Sequence, residues 1–185
     1  MTTAEQHKLV DEIRLGRTER FSIIVDMFSD KVHALVAGIA GDPMTADELT
    51  QDVFIKAFRS LGSFKSNSSL DTWLYRIAYN TAIDHSRRSR NTPLRLDDYQ
   101  TERLSDTEVD AFLDTPDEAD PRLALLPRAL DMLPADDRAI LTMFYYEEMS
   151  IRDIARIMDI KENNVKVRLL RSRKKLYAII THLNH

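Results

Sequence analysis

The chain has 185 residues, 43% of them hydrophobic and 30% charged, enough apolar mass for one ordinary domain or two small ones. It contains no cysteine and five scattered histidines, which excludes disulfides, thiolate metal sites and cysteine nucleophiles and leaves no histidine pair at metal-ligand spacing within one helix. No apolar run approaches the ~18 residues of a membrane span, and the N-terminal stretch lacks the apolar core of a secretory signal, so the expected compartment is the cytoplasm.

The net charge of -4 is unevenly distributed. Residues 1–92 carry twelve basic and twelve acidic side chains. Residues 93–121 carry two and ten, and residues 122–185 carry twelve and eight. The acidity is therefore central and the C-terminal part is basic, an asymmetry more informative than the total. Only four glycines occur, and apolar residues recur at steps of three and four, so the chain reads as all-α. The expected architecture is two small helical domains, 1–92 and 122–185, joined by a flexible acidic linker over 93–121.

A first helix over Glu5 to Arg14 places Leu9, Val10 and Ile13 on one face. Thr18 to Ala40 holds one long helix or two short ones, with Phe21, Ile24, Val25, Phe28, Val32 and Leu35 inward. Gly41-Asp42-Pro43 interrupts it. The next helix runs from about Thr45 to Leu61 on a stripe of Leu49, Val53, Ala57 and Leu61. After the polar loop Gly62 to Ser69, a helix from Leu70 to about Arg90 closes the first domain, with Leu70, Trp73, Leu74, Ile77 and Thr81 on one face. Pro93 to Pro121 has weak periodicity and dense acid, and its like charges favour an extended spacer. A sharper reading of the same segment is an acidic mimic of nucleic acid that either shields basic surfaces or tracks a positively charged channel.

In the C-terminal part Leu123, Leu126, Leu130 and Leu133 mark one helix. Pro134 opens the next, with Asp136 and Asp137 in its first turn, where the helix dipole favours acid. Ala139, Ile140, Met143 and Phe144 form its apolar side. Ser150 is placed to cap a helix over Ile151 to Met158, with Asp153 at the capping-box position. The turn Asp159 to Lys161 leads into a long last helix from about Glu162 to Leu183.

This last pair has helix-turn-helix form, in which the second helix enters the major groove. At 100° per residue, Val165, Leu169, Ser172 and Leu176 fall on the inward side. The opposite side carries Asn163, Val167, Leu170, Arg171 and Lys174, flanked by Lys166 and Arg173. From Lys161 to Lys175 there are seven basic residues and one acid. Such cations can neutralise phosphates and release counterions, and thymine methyls would partner Val167 and Leu170.

These residues carry a resemblance to a known family. MSIRDIARIMDIKENNVKVRLLRSRKKL resembles the segment of sigma factors that reads the promoter -35 element. DELTQDVFIKAFRSLGSF resembles their polymerase-binding segment, and SSLDTWLYRIAYNTAIDHSRRSR resembles the segment that opens and reads the -10 element. The three stand in the family's order in a chain of two domains, which identifies it as similar to the extracytoplasmic-function sigma factors. The resemblance implies that Glu48, Gln51, Asp52, Ile55 and Arg59 grip the clamp helices of the largest subunit of core RNA polymerase. It implies -10 recognition by Arg76, Asn80, Ile83, Arg87 and Arg88, with Arg90 adding charge, and with Phe64 in the preceding loop as either a base-stacking aromatic or a core plug. For the -35 element it adds Asn164 and Arg168 to the groove face. Where the family often has glycine in the turn this chain has Asp159, and Val167 replaces a hydroxyl on the groove face, implying a different -35 preference.

The implied activity is that of an alternative sigma factor that directs core polymerase to promoter DNA. Such a factor needs no catalysis of its own, no cofactor and no metal, and is a monomer when free. The family also implies an anti-sigma factor, often anchored in the membrane. Two competitors come from other classes. An autonomous helix-turn-helix regulator explains residues 150 to 176 but leaves the first domain unused. A hydrolase or nuclease working through the acidic segment lacks a glycine-rich phosphate loop, a Ser/His pair and metal-ligand spacing.

Overall fold

The structure is a computed structural model and describes residues 1–65, 68–89 and 101–185. Arg90 and linker residues 93–100 therefore lie outside the described residues, as do positions 66 and 67 of the loop before the fourth helix.

Helix α1 (Thr3–Arg14) starts at a capping box: Thr2 accepts from the Glu5 backbone N–H and Glu5 reaches back to the Thr2 backbone. Such reciprocal capping satisfies N–H groups that have no partner inside the helix. A single 3-10 turn at Thr18–Arg20 leads into α2 (Phe21–Ala40), so the second segment is one long helix with a short preface. Gly41 ends α2 in the left-handed conformation, φ 76°, its N–H bonded to the Ala37 carbonyl, a conformation glycine adopts without a Cβ penalty. Helix α3 (Pro43–Ser60) begins two residues before its sequence-based start. Pro43 does not merely interrupt the chain. It occupies the first helical position, where its missing N–H costs nothing, and Asp42 caps the Thr45 N–H at 2.8 Å. That bond to Thr45 holds the Asp42 carboxyl below its ordinary pKa.

Helix α4 (Leu70–Ser89) lies against α2 and α3. Leu35, Val53, Leu70, Leu74 and Ala78 are among the fully buried residues of this bundle, and α1 covers one end through Leu9, Val10 and Ile13. Within the acidic segment the structure contains helix α5 (Asp106–Asp114), which packs on the last helix of the chain. A 3-10 turn at Pro121–Leu125 then precedes α6 (Leu126–Met132), α7 (Ala135–Leu141), a π turn at Thr142–Tyr146, α8 (Ile151–Met158) and α9 (Glu162–Leu183). The π turn is a local widening of the helical ladder in which the Thr142 carbonyl accepts from the Glu147 N–H.

The two halves share one continuous buried cluster. Helices α2 and α4 meet α7, the π turn and α8. Gly38 permits the approach: a Cβ there would lie 2.6 Å from Thr142 Cγ2. Arg138 on α7 is buried at the end of α2, where the negative end of the helix dipole favours a cation.

Candidate nucleic-acid interface

Helix α8 and helix α9 are set by two caps. Ser150 Oγ accepts from the Asp153 N–H at 3.1 Å and donates to the Asp153 carboxylate at 2.7 Å. At the other end Asp159 takes φ 57° and ψ 46°, and its N–H bonds to the Ala155 carbonyl. This left-handed residue reverses the chain, so that α9 begins at Glu162 with the Lys161 carbonyl accepting from Asn164 and Val165.

The inward side of α9 is Val165, Leu169, Ser172 and Leu176, all buried. Ser172 is a polar residue in that stripe because Asp137 lies opposite it. The Ser172 hydroxyl donates to Asp137 at 2.5 Å, and Lys175 completes the group at 2.7 Å. Asp137 thus does more than favour the start of α7: it ties α7 to α9. The outward side exposes Asn163, Asn164, Lys166, Val167, Arg168, Leu170 and Arg171. Val167 is 47% and Leu170 38% exposed, two large apolar side chains at the surface among cations. Arg152 and Arg156 on α8, one turn apart, line an open cleft with Asp159, Lys161 and Asn163. Reasoning from α9 alone missed these two arginines, although their four-residue spacing was the available signal.

Arg173 and Lys174 differ from the other basic residues of α9. Arg173 contacts Asp110 at 2.7 Å and Asp114 at 2.8 Å, and Lys174 contacts Asp106 at 2.6 Å, all on α5.

On α4 the structure separates two kinds of residue. Arg76, Asn80, Arg87 and Arg88 are exposed. Ile83 is 2% exposed and belongs to the core, so its expected place in a DNA-facing stripe is corrected: α4 packs against α7 and α8 as well as against its own bundle, which leaves fewer of its positions free. Phe64 is 4% exposed. It packs between His7 and Trp73, with ring centroids 5.8 and 5.4 Å away. Of its two readings the core plug is the one this position supports, because such a side chain presents no face to a base. Arg14 fixes this region by donating to the carbonyls of Leu61 at 2.9 Å and of Phe64, a long-range link with no local sequence signal.

The exposed cations of α4 face carboxylates of the C-terminal half. Arg76 lies 3.2 Å from Asp159 and Arg87 lies 3.6 Å from Asp136. Tyr79 donates to Asp136 at 2.9 Å. Burial, then the nearby Asp136 charge, raises the Tyr79 pKa above its ordinary value, so the hydroxyl remains a donor at neutral pH. On α3, Glu48, Gln51, Asp52, Ile55 and Arg59 all face solvent, and exposed Phe58 meets Phe21 edge-on at 5.1 Å. Among the described residues no cluster of three or more His, Asp or Glu is placed to hold a metal ion, and no helix is long and apolar enough to cross a membrane.

A helical bundle bearing exposed cations, packed on a helix-turn-helix with a basic outer face, defines a DNA-binding protein of two helical units. The Sigma-70 region 2 family matches residues 24–92, and the Sigma-70, region 4 family matches residues 123–176. The RNA polymerase sigma-H factor of Pseudomonas aeruginosa is 31% identical over 182 residues, spanning 94% of this chain and 93% of that protein. The ECF RNA polymerase sigma factor SigW of Bacillus subtilis is 30% identical over 181 residues, spanning 91% and 93%. Among solved structures, the sigma factor RpoE of Bartonella quintana, bound to the anti-sigma factor NepR, has a similar fold. Its TM-score is 0.61 at 22% identity, covering 87% of this chain and 96% of that one. The chain belongs to the extracytoplasmic-function RNA polymerase sigma factors of the sigma-70 family.

Proposed function

We propose that this alternative sigma factor reads promoters at two points, with a division of labour among three helices. Helix α9, assisted by Arg152 and Arg156, reads the duplex -35 element. Lys166, Arg168 and Arg171 neutralise phosphates or reach base edges, and Val167 and Leu170 contact thymine methyls. Helix α4 offers Arg76, Asn80, Arg87 and Arg88 to the -10 element. The exposed face of α3, from Glu48 to Arg59, docks on the clamp helices of core polymerase. In this reading residues 1–92 form the first unit and 122–185 the second, with 93–121 between them. The polymerase carries out all chemistry, and this chain supplies recognition alone.

The observation that carries this reading is the outer face of α9. Val167 and Leu170 stand exposed among the exposed cations Lys161, Lys166, Arg168 and Arg171, an arrangement that water stabilises poorly and a major groove satisfies. An anti-sigma factor fits as the negative regulator, since the Bartonella quintana sigma factor of similar fold is bound to one. The factor is expected to act in the cytoplasm, and a membrane-anchored anti-sigma factor would hold it at the membrane.

In vitro transcription with purified core polymerase and genomic promoter fragments tests the reading. Promoter-specific transcripts are expected only when both proteins are present. Arg171→Ala and Lys166→Ala should weaken -35-dependent initiation, by about 1–3 kcal/mol for a good base contact, while sparing polymerase binding. Gln51→Ala with Asp52→Ala should do the reverse. Equal loss of polymerase binding in both sets would remove the division of labour. Footprinting of a palindrome by a stable dimer without polymerase would favour an autonomous regulator.

A further inference from the structure

Helix α5 has two faces. The apolar one buries Val109 and Phe112. Phe112 meets the Tyr177 ring edge-on at 5.5 Å, and the Arg122 guanidinium lies 4.8 Å from the Phe112 centroid. The acidic face presents Asp106, Asp110 and Asp114, one helical turn apart. All three reach α9, Asp106 on Lys174 and the other two on Arg173. Tyr145 anchors Asp114 from the side, donating at 2.8 Å.

Burial of Val109 and Phe112 contributes the apolar part of the docking. Three carboxylates in a row add little to stability, because they remain about half exposed, at 58, 52 and 45%, and exposed ion pairs are weak. They do remove cations from circulation. Arg173, next to the groove face of α9, is left 13% exposed. A row of negative oxygens along a basic recognition helix reproduces what a DNA backbone offers.

We propose that α5 is a built-in stand-in for the phosphate backbone, which occupies Arg173 and Lys174 in the free protein and must be displaced before the promoter duplex can use them. The proposal rests on the reading of α9 as the promoter-reading helix. The contacts suit a displaceable cover. They are numerous enough to lower non-specific affinity and screened enough to yield to a denser row of phosphates.

The test uses the full chain and a fluorescein-labelled mixed-sequence 30-base-pair duplex, with affinity read by anisotropy between 50 and 200 mM KCl. The variant D106N/D110N/D114N is compared with E19Q/D26N/D30N, which removes the same charge from exposed positions on the other half. The α5 variant should bind tighter than this control. Its log-affinity against log-salt slope should be steeper by about 1.8, from two additional phosphate contacts. That slope makes its advantage shrink by about tenfold across the salt range. Equal affinities and slopes for the two variants would overturn the proposal. If K166A/R171A fails to weaken binding, the reading of α9 fails and takes the proposal with it. Should the α5 variant lose its helical circular dichroism, hydrogen exchange on the wild type decides. Amides 106–114 should lose protection when the duplex binds, and unchanged protection with DNA bound would overturn the proposal.

Discussion

Glu147 sits just past the π turn, close to the buried ring of Tyr75. Burial is the main influence on its carboxyl and raises the pKa from the ordinary 4.5, while Lys31 pulls the other way. A raised value means that folding favours the neutral acid. The stabilisation it contributes is complete below about pH 4.5 and is lost as pH rises through the folded-state value. At pH 7 the side chain is therefore a liability, and Glu147→Gln should raise Tm there. The advantage over wild type should narrow as pH falls towards 4.5. A Tm gap that stays constant with pH would mean that desolvation is not what governs this position. Residues of this kind, along with Phe64 and Ile83, mark where the sequence stops being legible. A helical wheel ranks positions by one helix axis. It separated Leu49, Val53 and Ala57 from Gln51 and Asp52 because α3 packs on one side only. It misplaced Ile83 because α4 is covered from two sides, by its own bundle and by α7 and α8. The burial of Phe64 depends on α1, whose Arg14 and His7 reach it from about fifty residues away.

The turn between α8 and α9 combines local strain with a long-range contact. A left-handed conformation costs a residue with a side chain about 1–2 kcal/mol, less for Asp than for most, and Asp159 adopts it at φ 57°. Its carboxylate meanwhile holds Arg76 on α4. Asp159→Gly removes the strain and the carboxylate together. The C-terminal helices are expected to gain up to about 1 kcal/mol, a Tm rise of a few degrees in thermal denaturation. Asp159→Ala should lower Tm instead, since it keeps the Cβ and discards the polar side chain. Ser150, the three-residue turn and the span of α9 were all readable, because caps and apolar periodicity act within a few residues. Helix α5 was not. Its nine residues show little period, and its three aspartates repel one another until Arg173 and Lys174 face them. An acidic segment read alone looks like a spacer, and its structure depends on cations about sixty residues further on.

Across the whole molecule the same pairing of acid with base recurs. Asp136 and Asp159 occupy Arg87 and Arg76, so the proposed -10 face is partly neutralised by the C-terminal half, much as α5 covers part of α9. Both units bring positive charge for one polyanion, and closing the molecule returns that charge to internal carboxylates. Such contacts are individually weak, so the apolar seam must supply most of the closure. The seam is tight at Gly38, where α2 meets the π turn. A side chain there would collide with Thr142, since even its Cβ would stand 2.6 Å from Thr142 Cγ2. Leucine is a good helix former, so Gly38→Leu should leave α2 intact while wedging the halves apart. Circular dichroism should remain that of the wild type. Small-angle scattering should show the radius of gyration rising by several Å above the roughly 16 Å of a compact body of this length. Arg76 and Arg87 would then be released, and affinity for single-stranded -10 DNA should rise together with the radius. An open variant with unchanged DNA affinity would show that the closed packing has no bearing on promoter access. A variant that stays compact would show that the seam can absorb the side chain by moving Thr142.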